Sequence, residues 1–200
     1  MHLLADIGGH MSSRGEESRA KIVAAARQLF YERGFAQSSM QDLADAAGVL
    51  KGNLAYYFTT KEAILDEVVD TQCCNLKALF AGFEQSADTP QASILLFIDM
   101  VESSAKQLKE FGCPIGSLNI ELGKNGGQYQ AYAQTSMKLC LSWLTKCFVA
   151  TGQKKKAAAA SAEHIMCTAQ GAAVLAQSLR APAVVTRQCQ QLREWLSQQV

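Results

Sequence analysis

Charge is scarce in this chain, at 18% Asp, Glu, Lys and Arg, while hydrophobic residues make up 48%. The disorder that accompanies high charge and low hydrophobicity is therefore excluded as a global state. Long apolar runs are missing too. The longest uncharged stretches, Ala157 to Ala162 and Ile165 to Leu179, are rich in Ala, Gly, Ser and Thr and carry Gln. Neither supplies the roughly 20 strongly apolar residues of a membrane span, so no membrane partner is expected. Net charge is only +1, which by itself gives no reason to expect nucleic acid. The seven cysteines are an odd number without CxxC spacing. This argues against a secreted disulfide scaffold and for reduced thiols in the cytoplasm. The opening MHLLADIGGHM has no basic n-region and no small-residue cleavage site, so a signal peptide is not expected. Gly8-Gly9-His10-Met11 reads as a cloning scar or an over-extended start, and residues 1–16 as an arm ahead of the fold.

Proline is equally sparse. Only Pro90, Pro114 and Pro182 occur, each between segments of helical rather than alternating periodicity, which predicts an all-α fold of about nine helices. The first runs from about Glu17 to Arg33, with Ile22, Ala25, Ala26, Leu29 and Phe30 on one face and Gly34 as its stop. Ser39 with Asp42 three residues on is a capping-box pair opening a short second helix that ends at Gly48. A third spans Lys51 to Tyr57. Thr59 with Glu62 reads as another capping box, opening a long helix from Lys61 to about Ser86. Five more are expected over Ile94–Lys109, Pro114–Leu122, Gln128–Val149, Lys156–Leu179 and Ala183–Gln198. Short turns at Gly112, Gly123, Gly126-Gly127 and Ala181-Pro182 join them.

The stretch from Ser39 to Phe58, SMQDLADAAGVLKGNLAYYF, is the most informative. Two short helices joined at Gly48 fit a helix-turn-helix, where Ala44, Ala47 and Val49 permit close crossing and Leu54 and Phe58 anchor the second helix. Such a helix enters the major groove by its first turn, which places Leu50, Lys51, Gly52, Asn53 and Tyr56 against DNA. Lys51 reaches guanine acceptors or phosphate, Asn53 reads a base edge, and Gly52 leaves room for close approach. Tyr57 and Lys61 flank the groove. Lys61 and the amides of its helix form one expected phosphate clamp, and Ser39 and Gln41 at the start of the second helix form the other.

These residues carry a resemblance. The run from Arg19 to Glu67, with AKIVAAARQLFYERGF, SMQDLADAAGV, KGNLAYYF and TKEAIL, resembles the DNA-binding domain of TetR/AcrR-type transcriptional regulators. Ala25, Leu29, Phe30, Gly34, Ala44, Gly48, Val49, Gly52, Phe58 and Lys61-Glu62 fall where that pattern puts them. The resemblance implies a homodimeric repressor on a double-stranded palindromic operator. A reading head over 17–77 would precede a ligand-binding and dimerisation domain over 78–200. Two positions depart from the pattern. Leu50 stands where Ser or Thr is usual, and Ala55 where an aromatic is common, so Leu50 points to apolar contact with a thymine methyl.

Beyond Pro90 the physics carries more. Val185, Cys189, Leu192 and Leu196 step by four, three and four, and Gly171, Ala172 and Leu175 make a smooth face on the preceding helix. In the resembled family such helices pair between subunits, and the same stripe also fits a monomer core. In FGCPIGSLNIEL, Pro114 suits the first position of a short helix. Cys113 would then sit at or beside its N-cap, where free amides favour a thiolate. The string resembles a subgroup that includes electrophile- and oxidant-responsive repressors, which implies a sensor role for Cys113; a small buried residue at a helix start is the plain reading. Phe97, Met100, Trp143, Cys147 and His164, with Phe83 and Phe148, are candidates for the lining of an apolar effector cavity. Cys73-Cys74 with His164 lack metal-ligand spacing, so neither metal nor cofactor is expected. No catalytic Ser/His/Asp or Cys/His arrangement, HExxH or P-loop occurs, which argues against an enzyme.

The function expected is thus a DNA-binding regulator, most simply a repressor released by a small-molecule effector or by modification of Cys113. An activator, a regulator of this type answering to a non-covalent apolar ligand, and an interaction module without DNA binding are the alternatives. The charge balance stays even within the head, where seven bases from Arg14 to Lys61 face six acids up to Glu62. Affinity for DNA therefore has to come from placement rather than net charge.

Overall fold

The computed structural model describes residues 14–124 and 127–199. Among them every regular element is a helix. In chain order they are α1 (Arg14–Arg33), α2 (Met40–Ala47), α3 (Lys51–Tyr57), α4 (Lys61–Ser86), α5 (Pro90–Ser103), α6 (Ala105–Phe111), α7 (Gly116–Gly123), α8 (Gly127–Ala150), α9 (Lys155–Ser178) and α10 (Ala183–Ser197). The all-α expectation holds. The arm expected over residues 1–16 lies outside the described residues as far as Ser13, and from Arg14 onward it is already α1.

Local chemistry explains most helix ends. Ser39 caps α2 by accepting from the Asp42 amide, and Asp42 returns a hydrogen bond from the Ser39 amide at 2.8 Å. Gly48 ends α2 in the left-handed region at φ 63°, where a side chain would cost conformational energy, and its amide bonds back into the last turn. The cap of α4 is Thr60, not the expected Thr59. Its hydroxyl accepts from the Ala63 amide at 3.1 Å, and because Ala63 has no side-chain acceptor to return the bond, the expected box gives way to a one-sided cap.

The helix expected over Ile94–Lys109 is two, which takes the expected count of about nine to ten among the described residues. Thr89 and Pro90 start α5 four residues earlier than the periodicity suggests, with the Thr89 hydroxyl accepting from the Ala92 amide. The break falls at Ser104. The hydroxyls of Ser103 and Ser104 both donate to the Met100 carbonyl, at 2.8 and 2.9 Å, sharing it with the Ser104 amide at 3.2 Å, which also reaches the Val101 carbonyl.

The segment after α6 also differs. α7 begins at Gly116 with Ile115 as its N-cap residue, so Pro114 is not at the first helical position and Cys113 is not the cap. The Cys113 carbonyl accepts from the Ser117 amide at 2.9 Å, closing a single turn ahead of the helix. The argument that a helix terminus activates this thiol therefore falls away.

Two apolar cores organise the molecule, and α4 runs through both. Its first half gives Ile64, Leu65, Val68 and Val69 to a head core with Ile22, Phe30, Leu43, Leu54 and Phe58. Its second half gives Phe80 to a larger core with Ile98, Leu144, Phe148 and Ile165. Leu118 and Leu122 of α7 pack into the head core, so the head borrows residues from far along the chain. Trp143 stacks on Phe80 with ring centres 4.4 Å apart and donates its indole N–H to Glu84.

The stripe Val185, Cys189, Leu192 and Leu196 is buried within the same chain, where α10 packs on α5 and α9. Arg193 bridges from α10 to Asp99 and Glu102 of α5. This corrects the expectation of a dimer face there: the 4-3-4 spacing specifies an apolar stripe, not which partner covers it. Ala172 is buried as well, whereas Gly171 and Leu175 lie on the exposed face of α9 beside Val174.

Candidate nucleic-acid interface and effector cavity

α3 is held from below and open above. Leu54 is fully buried, Phe58 locks the helix end, and Tyr57 is half-buried, while all other α3 residues are exposed. Leu50 and Tyr56 are 75% and 83% exposed, unusually high for large apolar side chains. Lys51 and Asn53 are exposed and make no hydrogen bond or ion pair among the described residues. The structure thus brings Leu50, Lys51, Gly52, Asn53 and Tyr56 onto one open surface. The Tyr56 ring rests edge-on against Tyr57 at 5.2 Å, which limits its rotamers.

The flanking residues divide. Gln41 is exposed at the start of α2, with its amide donating to Asp45. Ser39 is occupied by its own capping box. Lys61 departs from the expected phosphate clamp: its ammonium donates to the Phe35 carbonyl at 2.7 Å and the Ser38 carbonyl at 2.9 Å and lies 4.3 Å over the Phe35 ring. It ties α4 to the turn between α1 and α2. Arg19 is similarly held, 4.3 Å over the Phe58 ring and bridged to Glu67. Lys21 carries no groove signal in the sequence and stands beside the turn, where a Cβ built on Gly48 would lie 3.7 Å from its ammonium.

A second feature lies between α4, α5, α6 and α9. An apolar cavity of about 180 Å³ is lined by Phe97, Met100, Leu108, Cys113, Met166 and Gln170, among others. Gln170 donates its amide to the Cys113 sulfur at 3.3 Å, so the cavity wall carries a carboxamide and a thiol side by side. Gln170 had no signal in the sequence, being 57 residues from Cys113.

Five expected lining residues are elsewhere, among them Phe148, which is core, and Phe83, which packs against that core. Trp143 is core, Cys147 is buried at the α4–α5 end of α8, and His164 is exposed on α9 with its ring 4.5 Å from Trp195. Periodicity places each on a helix but does not say which side of α8 or α9 meets the cavity. Burial also pushes other thiols up, Cys140 to about 12 and Cys147 and Cys189 to about 11.

The Cys113 segment is bonded to the head. Tyr31 of α1 donates its hydroxyl to the Gly112 carbonyl at 2.8 Å, and its ring packs on Phe111. Burial, then the neighbouring Cys113, raises the Tyr31 pKa, so the phenol stays a donor. Nine residues further on, Glu121 accepts from the Phe35 and Ala36 amides at 2.9 and 2.5 Å. Gly34 makes that approach possible, since a Cβ there would stand 2.9 Å from the Glu121 carboxylate and its φ is +89°.

A three-helix head with an open recognition helix, backed by a helical domain, defines a helix-turn-helix transcription regulator of the DNA-binding kind. Residues 22–68 match the family model for bacterial regulatory proteins of the tetR family. Residues 90–191 match the C-terminal domain of LmrA/YxaF-like transcriptional regulators, and the chain belongs to the TetR family of transcriptional regulators.

An uncharacterized HTH-type regulator in the lacX 3′ region of Lactococcus lactis is 33% identical over 107 residues, covering 52% of this chain and 55% of that protein. The regulator RutR of Escherichia coli K12 is 32% identical over 126 residues, covering 51% and 59%. The chain thus spans somewhat more than half the length of these curated relatives. Among solved structures, a TetR regulator from Chloroflexus aurantiacus superposes with a TM-score of 0.82 at 24% identity, covering 94% of this chain and 98% of that one. The reduced form of E. coli NemR does so at 0.78 and 17% identity, covering 89% and 96%, a likeness of fold. No helix among the described residues is long and apolar enough to cross a membrane.

Proposed function

We propose that this regulator is a homodimeric repressor. Residues 17–77 form its reading head, and residues 78–200 carry effector binding and dimerisation. The observation that carries the reading is the open first turn of α3, where Lys51 and Asn53 have no internal partner and Leu50 and Tyr56 stand exposed. Such side chains are supported by groove contacts: Lys51 on guanine or phosphate, Asn53 on a base edge, Leu50 on a thymine methyl and Tyr56 on the backbone. Gln41 and the amides after Ser39 approach the opposite phosphates, and Lys21 is better placed for a phosphate than the occupied Lys61.

The exposed face of α9, with Gly171, Val174 and Leu175, is the surface for pairing two copies. Val174 and Leu175 are 52% and 49% exposed. Two heads would then meet half-sites about 34–36 Å apart on a palindromic operator.

Release follows when a ligand favours a state in which the heads no longer match that spacing. The cavity beside Cys113 is the effector site of this reading, with Gln170 as its polar contact. A small electrophile adding to the Cys113 thiol is one trigger. A non-covalent apolar ligand is the other, favoured by the predominantly apolar lining.

Selection of duplexes from a random pool by the purified chain tests DNA reading. A palindromic consensus whose binding is lost in Asn53→Ala supports it, and no enrichment rejects it. The trigger is tested in a Cys74→Ser/Cys167→Ser background, since both of those thiols are exposed. A maleimide that releases this parent and the additional Cys113→Ser variant alike rules out Cys113 as the trigger.

A further inference from the structure

Between the head and the helical domain lies a second cavity, of about 320 Å³, bounded by α1, α4, α6 and α7. It is distinct from the Cys113 cavity but shares the Leu76, Pro114 and Ile115 wall with it. Its volume falls within the range of small-molecule sites, about 300–1,000 Å³. The apolar surface comes from Val68, Leu79, Phe111 and Leu118. The polar groups are more telling. Arg27 is the one charged residue in the lining, no carboxylate lines the cavity, and no ion pair engages Arg27 among the described residues. Gln72, Asn75 and Gln107 also line it, and their side-chain amides have no partner among the described residues, whereas the amide of Gln28 donates to Glu32. Arg27 also borders a neighbouring cavity that holds Glu16 and Glu67, and on the cleft side an unpaired guanidinium with carboxamides over an apolar floor is complementary to a compact apolar body bearing one carboxylate.

We propose that this interdomain cleft is a second ligand site, taking a compact aryl carboxylate whose anion pairs with Arg27 and whose ring lies on Leu79, Phe111 and Leu118. An occupant touches α1 of the head and the α6–α7 segment together, beside the Tyr31 bond to Gly112. It therefore stiffens one arrangement of head against helical domain, and through the shared wall its binding is coupled to whatever fills the Cys113 cavity.

The test is methyl-resolved NMR on the full chain, free of DNA, titrated with 2-naphthoate and separately with the neutral 2-naphthamide. Val68, Leu79 and Leu118 report only on the cleft, and Met100 and Met166 only on the Cys113 cavity. Saturable naphthoate shifts at the first group and not the second are expected. Arg27→Gln, an exposed position on α1, should raise the naphthoate Kd about three- to tenfold and leave naphthamide binding unchanged. Absence of saturable shifts at Leu79 and Leu118, shifts centred on Met100 and Met166, or a naphthoate Kd unmoved by Arg27→Gln overturns the proposal. Neither DNA nor thiol chemistry enters this measurement, so its outcome is independent of the operator and Cys113 readings.

Discussion

Lys51 and Lys61 carry the same charge on neighbouring helices and do different work. Lys51 is free on an open helix turn, whereas Lys61 is hydrogen-bonded to two carbonyls and a ring face. On a selected operator, Lys51→Ala should reduce the slope of log affinity against log salt by about 1 with the melting curve unchanged. Lys61→Met should instead lower stability by about 1–3 kcal/mol, because two carbonyls lose a charged donor. Circular dichroism melts together with gel shifts over a salt series separate the two. The sequence places both against DNA, Lys51 in the groove and Lys61 as a phosphate clamp, since the type and position of a lysine say nothing of a carbonyl pair folded onto it. The thiols sort by burial in the same way. Iodoacetamide followed by mass mapping should modify Cys74 first and leave Cys140, Cys147 and Cys189 protected until unfolding, because burial keeps the last three protonated.

At the scale of elements, boundaries set by bonds between near neighbours were legible. Ser39 and Asp42 form their box over three residues, and the sequence pair sufficed to place the start of α2. The Asp42 carboxyl is held below the usual range, first by the Ser39 side chain and then by the Ser39 amide. A depressed folded pKa contributes stability that is present above the unfolded value of about 3.9 and lost as pH falls through the folded one. Thermal melts of wild type and Asp42→Asn should therefore converge as pH drops below about 4; a gap that stays constant to low pH would contradict the box. The break at Ser104 was not legible, because a serine is tolerated within a helix and its type does not say that two hydroxyls and an amide will converge on one carbonyl. The late start of α7 is hidden for the opposite reason. Proline marked a permitted first turn, yet only an isolated turn forms there.

For the whole molecule, the stripes on α9 and α10 are the instructive case. Periodicity identified apolar faces on both helices, and the tertiary structure turned the α10 stripe inward onto α5 and α9 while leaving Val174 and Leu175 outside. Leu192→Ala should accordingly lower stability by about 2–4 kcal/mol with no change of assembly. Leu175→Glu should convert dimer to monomer in sedimentation equilibrium with a nearly unchanged melt; a wild-type chain that sediments as a monomer removes the pairing surface from the scheme.

The helix-turn-helix, its turn at Gly48 and its candidate groove residues were determined by the sequence itself, because a helix-turn-helix is built from contacts within about 20 residues and its caps, glycine and small crossing residues leave local marks. Which groups meet across long separations was decided only by folding. Gln170 against Cys113, Tyr31 against Gly112, Glu121 against the α1–α2 turn and Arg27 over the interdomain cleft join positions 57 or more residues apart in the three hydrogen-bonded cases. Such pairs arise from the packing of whole helices, which a pattern of residues along one helix does not encode.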